Sequence, residues 1–348
     1  MSKDKKTYNI AIVGATGIVG ESFLDILASR DFPLGDIYAI ASDRSAGKTV
    51  RFGKDILEII DIASFDFSKV NIAFFSAGSE VSAKYAKVAA KSDAVVIDNT
   101  SHFRYDVEIP LIVPEVNPLA ISKYSKTNII ANPNCSTIQM LVALKPIHDL
   151  YNIQKIHVST YQAVSGSGKN GINELLEQTH SYMNQQEIEA NVYPKQIAFN
   201  VIPFVDSFND NGYTKEEMKM VWETQKILDK NIDVNATAVR VPVITGHSES
   251  VTIETSTSVD VRMLREKYND LDHIKLIDDP QNNDYPTAVI DGSGTDHVYI
   301  GRIRKDLVDD KILNIWVVAD NVRKGAALNS IQIAELLIKE NYLWDKSS

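Results

Sequence analysis

Tyr8-Asn9-Ile10-Ala11-Ile12-Val13-Gly14-Ala15-Thr16-Gly17-Ile18-Val19-Gly20 is the stretch that decides how the first part of the chain folds. Its apolar, β-rich opening reads as a buried strand and the glycines after it as a tight turn. A helix from Glu21 to about Ser29 comes next. Strand, glycine turn and helix in that order build a dinucleotide site. The turn lets a pyrophosphate approach the backbone, and the helix N-terminus offers it unpaired amides. Gly14 and Gly17 serve the turn, and Gly20 lets the helix pack on the strand. The spacing is Gly-x-x-Gly-x-x-Gly rather than the standard Gly-x-Gly-x-x-Gly. A glycine turn also serves structure alone, so the flanking strand and helix carry the reading. Gly14, Ala15, Thr16, Gly17, Ile18 and Val19 are the expected cofactor contacts.

Working outward, Ile37-Tyr38-Ala39-Ile40-Ala41-Ser42 reads as a second strand, followed by Asp43-Arg44-Ser45-Ala46-Gly47-Lys48. An NAD site usually has a carboxylate at this strand end for the ribose 2′-hydroxyl, and Asp43 could supply it. Ser42, Arg44 and Ser45 suit a 2′-phosphate instead, which favours NADP. A solvated turn is the structural alternative for Arg44. Residues 70–75 form another apolar strand that ends at Ser76-Ala77-Gly78-Ser79, where Ser76, Ala77 and Gly78 are further expected cofactor contacts. A helix over about 80–91 and a strand over 94–98 follow. Strands alternating with helices predict a doubly wound parallel sheet of the Rossmann type, with ligands beyond the carboxyl ends of its strands. Arg104 lies past one of those ends and can reach a phosphate there. A surface arginine is the alternative.

Asn132-Pro133-Asn134-Cys135-Ser136-Thr137 holds the only cysteine in 348 residues. Ile129 and Ile130 before it read as a strand end, and residues 138–144 after it as a helix with an apolar face. Pro133 keeps Asn132 out of the helical region, so the helix begins no earlier. The first amides of a helix have no partners within it and favour an anion, so a thiol at such a place ionises more readily. A thiolate there is a nucleophile with amides at hand for an oxyanion. A lone cysteine is more often a small buried apolar residue. The placement of Cys135 and the polar groups downstream favour the nucleophile.

Net charge is −10, which argues against nucleic acid as a partner. A single cysteine excludes a disulfide framework and a cysteine-based zinc site, and no metal is expected. Residues 1–6 are charged with no apolar run behind them, unlike a signal peptide. No apolar run is long enough to span a membrane. The cytoplasm is the expected location.

From Lys155 the texture changes. Residues 156–164 are β-rich and run into Ser165-Gly166-Ser167-Gly168-Lys169. Further β-like stretches are predicted at 237–244, 250–259, 297–303 and 313–319. Helices are predicted at about 171–182, 214–229 and 261–267, and an amphipathic last helix at about 325–339. This pattern indicates an α+β domain on a mixed or antiparallel sheet. Arg240-Val241-Pro242-Val243-Ile244-Thr245-Gly246-His247-Ser248-Glu249-Ser250 gathers polar groups, with Arg240 and His247 in one β-like stretch. Glu216 and Lys219, three apart, share a helix face. A structural histidine and a solvated helix face are the alternatives for these two clusters.

Together these stretches resemble the aspartate-semialdehyde dehydrogenase family in its bacterial form, over nearly the whole chain. The resemblance rests on the Gly-Ala-Thr-Gly loop, Asn134-Cys135-Ser136-Thr137, and Arg240-Val241-Pro242-Val243 with His247-Ser248-Glu249. It implies the glyceraldehyde-3-phosphate dehydrogenase superfamily fold. Residues 1–134 and 322–348 would form the NADP-binding domain, with the last helix returning to it, and residues 135–321 the catalytic and dimerisation domain. It implies Cys135 as nucleophile, Gln162 orienting the thioester or its neighbours, and His247 as general acid/base. Arg240 would bind the substrate α-carboxylate and Glu216 the α-amino group, with Glu217 an adjacent alternative. Arg104, Asn134 and Lys219 would bind phosphate. Asn321 and residues 165–168, with Ser165, Gly166 and Gly168, would lie beside the nicotinamide.

The activity implied is reversible, NADPH-dependent conversion of aspartyl phosphate to aspartate semialdehyde through a cysteine thioester, in diaminopimelate, lysine, methionine and threonine synthesis. A homodimer, extendable to a tetramer, is implied as well. Competing readings are N-acetyl-γ-glutamyl-phosphate reductase, which has no need of Glu216, and a nucleotide-binding regulatory protein. The set of Cys135, Gln162 and His247 argues against the latter.

Overall fold

The computed structural model of the chain describes residues 6–343, so residues 1–5 of the charged amino-terminal segment and residues 344–348 lie outside it. The chain divides into two compact units, residues 1–133 with 326–348, and residues 134–325.

The first unit is built on a sheet of β1 (Tyr8–Val13), β2 (Leu34–Ala41), β3 (Thr49–Phe52), β4 (Asp55–Asp61), β5 (Ile72–Phe75), β6 (Val95–Asp98) and β7 (Ile129–Ala131). The strand order is β3-β4-β2-β1-β5-β6-β7. All pairs are parallel except the β3–β4 hairpin at one edge. Every residue of β5 and β6 is buried, as expected of central parallel strands. Helices α1 (Ile18–Ser29) and α2 (Ser79–Lys91) cross over between strands. The β1–α1 turn is closed by backbone. A Cβ on Gly20 would lie 2.1 Å from the Gly14 carbonyl oxygen, so only glycine fits where the helix meets the turn.

The sequence does not foretell the β3–β4 hairpin. Its strands are short and mostly part-exposed, and charged residues interrupt the apolar ones, so no long apolar run marks it. Helix α1 begins at Ile18 rather than Glu21, because Gly17 itself is the extended N-cap.

The second unit holds helices α3 (Cys135–Tyr151), α4 (Gly168–Met183), α5 (Lys215–Ile227) and α6 (Val261–Asn269). Its strands are β8 (Ile153–Gln162), β9 (Asp233–Arg240), β10 (His247–Thr255), β11 (Ile274–Leu276), β12 (Val298–Lys305) and β13 (Ile312–Ala319). They form one mixed sheet in the order β11-β12-β13-β10-β8-β9, with β8–β9 and β11–β12 parallel.

The predicted single stretch 237–244 is corrected here. β9 stops at Arg240, Pro242 follows with no N–H to give a ladder, and Gly246 turns with φ +95°. Arg240 and His247 therefore sit on two strands with β8 between them. Gln162 is in register with Arg240 across β8–β9, and Tyr161 with Ser248 across β8–β10. The end of β8, the end of β9 and the start of β10 thus come together at one end of the strands.

The last helix, α7 (Leu328–Lys339), starts three residues later than predicted, after a wider turn at Arg323–Ala327. It belongs to the first unit and shares that unit's core through Leu328, Ile331, Ile333 and Leu337. Arg30 and Glu335 join α1 to α7 at 2.5 Å.

Candidate active site

The nucleotide-side expectations fall on the first unit. A cleft of about 530 Å³ there is lined by Gly14, Thr16, Gly17, Ser42, Arg44, Ser45, Ser76 and Ala77, among others. Ala15, Ile18, Val19 and Gly78 do not line it; Ala15 is buried in the core. Gly14 turns with φ +93°, and a Cβ on it would press within 2.9 Å of the Ser76 carbonyl carbon. The glycine turn thus packs directly on the end of β5. Glycine backbone, hydroxyl groups and cationic side chains all line this cleft.

Asp43 is not part of the cleft lining. Its carboxylate accepts the adjacent Arg44 amide at 2.8 Å, which occupies it locally. Lys48, given no role from sequence, lines the cleft beside Arg44. Its signal was the second cation in the loop after β2. Arg104, also in the first unit, is buried and donates to the Asn99 carbonyl at 2.7 Å.

The remaining expected residues lie in the second unit, and α3 explains their grouping. Cys135 is the first residue of the helix and is partly buried. Asn134 caps it: its Oδ1 accepts the Ser136 and Thr137 amides at 3.1 and 3.3 Å. The other groups of Asn134 point to α5. Its backbone N–H donates to Glu223 at 2.6 Å and its Nδ2 to Glu216 at 2.8 Å. Glu223 escaped the sequence reading, since a carboxylate two turns along the same face of α5 from Glu216 carries no motif. Over Cys135 lies Gly325, where a Cβ would come within 2.8 Å of the cysteine Cβ. Asp320 shapes that turn by accepting the Val322 and Arg323 amides, both at 2.8 Å.

Gln162, buried at the end of β8, is the hub. Its Nε2 lies 3.1 Å from Ser136 Oγ and 3.1 Å from Glu216 Oε1. Glu216 also accepts from Lys219 at 3.0 Å, and Lys219 donates to Asp206 at 2.9 Å. Burial opposes ionisation of Glu216, but the Lys219 ammonium and the amide donors outweigh it and bring the carboxyl down to about 2. Lys219 is likewise held charged by its two carboxylates against its own burial. Glu217 faces elsewhere. It completes a capping box with Thr214 and accepts the Ala238 amide at 2.9 Å.

Arg240 and His247 meet around Ala163 and Gly166. Arg240 donates from Nη1 to the Ala163 carbonyl at 2.8 Å, and the Ala163 amide donates to Nδ1 of His247 at 3.0 Å. A Cβ on Gly166 would fall 2.9 Å from Arg240 Nη1 and 3.7 Å from His247 Nε2. Because Nδ1 is an acceptor, a neutral His247 ring carries its proton on Nε2. Nε2 is buried and has no partner. Burial, then the nearby guanidinium, pushes the ring down to about 3, with Glu216 opposing, so it is neutral at physiological pH.

Arg240 is 5% exposed, lies 5.8 Å from the Tyr193 ring, and leaves Nε without a partner. No ion pair between Arg240 and a protein carboxylate is found among the described residues. Asn321 accepts the Gly246 amide at 2.9 Å and pairs with Ser165 Oγ at 2.9 Å, so it braces the turn before His247. Gly168, the first residue of α4, turns with φ +76°. Among the described residues, no cluster of histidine, cysteine and carboxylate side chains could hold a metal, and no helix is long and apolar enough to cross a membrane.

A nucleotide cleft in a parallel-sheet unit and a helix-start cysteine in a mixed-sheet unit define a class: NAD(P)-dependent dehydrogenases of the semialdehyde type. Residues 9–124 match the semialdehyde dehydrogenase NAD binding domain, and residues 144–324 the semialdehyde dehydrogenase dimerisation domain. The chain belongs to the aspartate-semialdehyde dehydrogenase family. The aspartate-semialdehyde dehydrogenase of Shewanella sp. (strain DB6705) is 55% identical over 96% of this chain and 99% of its own length. The crystal structure of aspartate semialdehyde dehydrogenase II complexed with ASA from Vibrio cholerae superposes with a TM-score of 0.94 at 55% identity, over 96% of this chain and 99% of that one. A probable aspartate-semialdehyde dehydrogenase from Pseudomonas aeruginosa gives 0.92 at 34% identity, over 97% and 100%.

Proposed function

We propose that the chain catalyses the reversible, NADPH-dependent reductive dephosphorylation of L-4-aspartyl phosphate to L-aspartate 4-semialdehyde, in amino-acid biosynthesis. The observation that carries this reading is Arg240, a buried guanidinium that meets no protein carboxylate and stands beside His247. A buried cation of that kind calls for an anionic ligand, and the α-carboxylate of aspartate supplies one. Glu216 accepts three hydrogen bonds and has room for another donor. The cluster of Glu216, Lys219 and Asp206 carries a net negative charge, which suits the α-amino group.

Cys135 attacks the acyl phosphate carbonyl and forms a thioester as phosphate leaves. Lys219 spends two of its three N–H donors on Glu216 and Asp206 and has one for the departing phosphate. Asn134 likewise keeps one Nδ2 hydrogen, and Arg104 is proposed to serve phosphate as well. A bound nicotinamide cofactor supplies the hydride. The Nε2–H of His247 donates to the oxyanion that develops on the former carbonyl, as a neutral imidazole can. In this tautomer His247 is a donor rather than a base, which sharpens the acid/base role implied by family resemblance. Gln162 keeps Ser136, and with it the start of the helix, in line with Glu216.

Ser42, Arg44, Ser45 and Lys48, with Asp43 turned onto its own loop, support NADP over NAD. A homodimer through the second unit accords with the dimerisation-domain match, and a cytoplasmic site with a sequence that holds a single cysteine. Reduction of NADP with aspartate semialdehyde and phosphate tests the activity. The Cys135→Ser enzyme should lose several orders of magnitude in turnover, since an alkoxide forms far less readily than a thiolate; near-normal turnover would reject the mechanism. The Arg44→Ala enzyme should lose more with NADP than with NAD, and equal losses would reject the 2′-phosphate contact.

A further inference from the structure

β10 carries a second buried acid just past His247. Glu249 is wholly enclosed, as are Gln139 on α3 and His247 itself. Glu249 and Gln139 leave acceptor oxygens without a donor. Neither carboxyl oxygen of Glu249 has a hydrogen-bond partner, and neither does Oε1 of Gln139. Nε2 of Gln139 does have one: it donates to the backbone carbonyl of His247 at 3.4 Å. Glu249 stands next to Gln139. A bare carboxylate there would be a buried charge with no cation opposite it, and such a group takes up a proton instead. A carboxylic acid owns what the pair lacks, an O–H donor for Oε1 of Gln139.

We propose that Glu249 is a neutral carboxylic acid that donates to Gln139 and, through it, holds His247 in place. Glu249 is a positioning residue, and its role rests on the reading of His247 as donor to the reacting oxygen. Burial acts on its carboxyl in the same sense and outweighs the opposing effect of the Gln139 side chain beside it, so the carboxyl is pushed well above the usual range. The charges acting on the His247 ring are then Arg240 and Glu216 alone. An anion at Glu249 would add to Glu216, favour the imidazolium and withdraw the neutral Nε2–H. The carbonyl held by Gln139 belongs to the histidine's own backbone, so the relay also fixes where the ring begins.

The test uses the intact enzyme with Glu249→Gln, Glu249→Leu and, as control, His247→Gln. The infrared difference between the parent and Glu249→Gln at neutral pH should show the carbonyl stretch of a protonated carboxylic acid. Glu249→Leu should lower kcat about tenfold at unchanged KM, the size expected when the group orienting a functional histidine is lost. Glu249→Gln, which can still present a donor to Gln139, should rescue most of that loss. An ionised-carboxylate band would overturn the proposal. So would a Glu249→Gln enzyme as slow as Glu249→Leu, or full turnover in Glu249→Leu. If Glu249→Leu does not fold, the infrared result on Glu249→Gln decides alone. Full turnover in His247→Gln would reject the reading of the histidine and leave the infrared result standing.

Discussion

Gly325 lies against Cys135 with no room for a methyl group: a Cβ there would sit 2.8 Å from the cysteine Cβ and 3.2 Å from its Cα. The turn that carries Gly325 is tied to Asp320, whose carbonyl accepts its amide at 2.9 Å. In Gly325→Ala, either Cys135 or this turn must shift. A displacement of a few tenths of an ångström at a nucleophile is costly, since about 1 Å can cost 10²-fold. The variant should lose roughly tenfold or more in kcat with little change in KM. Alkylation of Cys135 should slow in parallel. Unchanged turnover would mean that the turn yields and the cysteine does not.

Arg240→Lys keeps the charge and loses the planar fork. With the guanidinium as the carboxylate clamp, kcat/KM for aspartate semialdehyde should fall by the equivalent of about 2–5 kcal/mol. The melting temperature should stay close to the parent's, because Arg240 closes no protein ion pair among the described residues. A large drop in melting temperature with unchanged kinetics in the folded fraction would assign Arg240 to the sheet.

Glu216 and Glu217 should separate function from stability. Glu216→Gln keeps the shape and removes the charge that faces Asn134, Gln162 and Lys219, so it should raise KM for the amino-acid substrate well before it affects folding. Glu217→Gln weakens the capping box and the bond to the Ala238 amide. It should cost about 1 kcal/mol of stability and leave KM alone. Urea denaturation and steady-state kinetics on both variants check this, and the reverse pattern would exchange their roles.

Acid should destabilise the fold in two steps. The His247 ring falls from an ordinary 6.5 to about 3 in the folded protein. Between those values the unfolded chain binds a proton that the folded one refuses, so stability falls as pH falls through this window. Above pH 6.5 the ring is neutral in both states and contributes no slope. Glu216, lowered from 4.5 to about 2, adds a second loss as pH falls through that lower range. Each unit of pH inside a window costs about 1.4 kcal/mol per group. In His247→Gln, the urea midpoint should be flatter than the parent's between pH 6.5 and 4.5. Parallel curves would show that the ring is not held neutral by the fold.

The parallel sheet was legible because its central strands are buried on both faces and announce themselves as apolar runs. The β3–β4 hairpin and the short β11 were not, since partly exposed strands at a sheet edge lack that signature. Cys135 was legible from chain chemistry, a proline and an asparagine before an amphipathic run. The placing of Arg240 relative to His247 was not. Seven positions apart, they read as one strand, and only the sheet order shows β8 between them. The choice between Glu216 and Glu217 was equally closed to the sequence. Adjacent residues on a helix point about 100° apart, and which one turns toward Asn134 depends on how α5 is seated. Glu223, Gly325 and Lys48 act through contacts far along the chain or through a loop, and no spacing rule marks them.

Asn134 spends its carbonyl oxygen on closing the first turn of α3 and its amide on Glu216. One side-chain rotamer therefore fastens the helix of the proposed nucleophile and holds Glu216, the proposed amino-group contact. A molecule that lets go of that turn should lose its cysteine geometry and the seating of Glu216 at the same moment. Such an enzyme holds no reserve of partial activity in a loosened state. Heat inactivation should therefore follow the fraying of this one helical turn, ahead of the collapse of the sheet behind it.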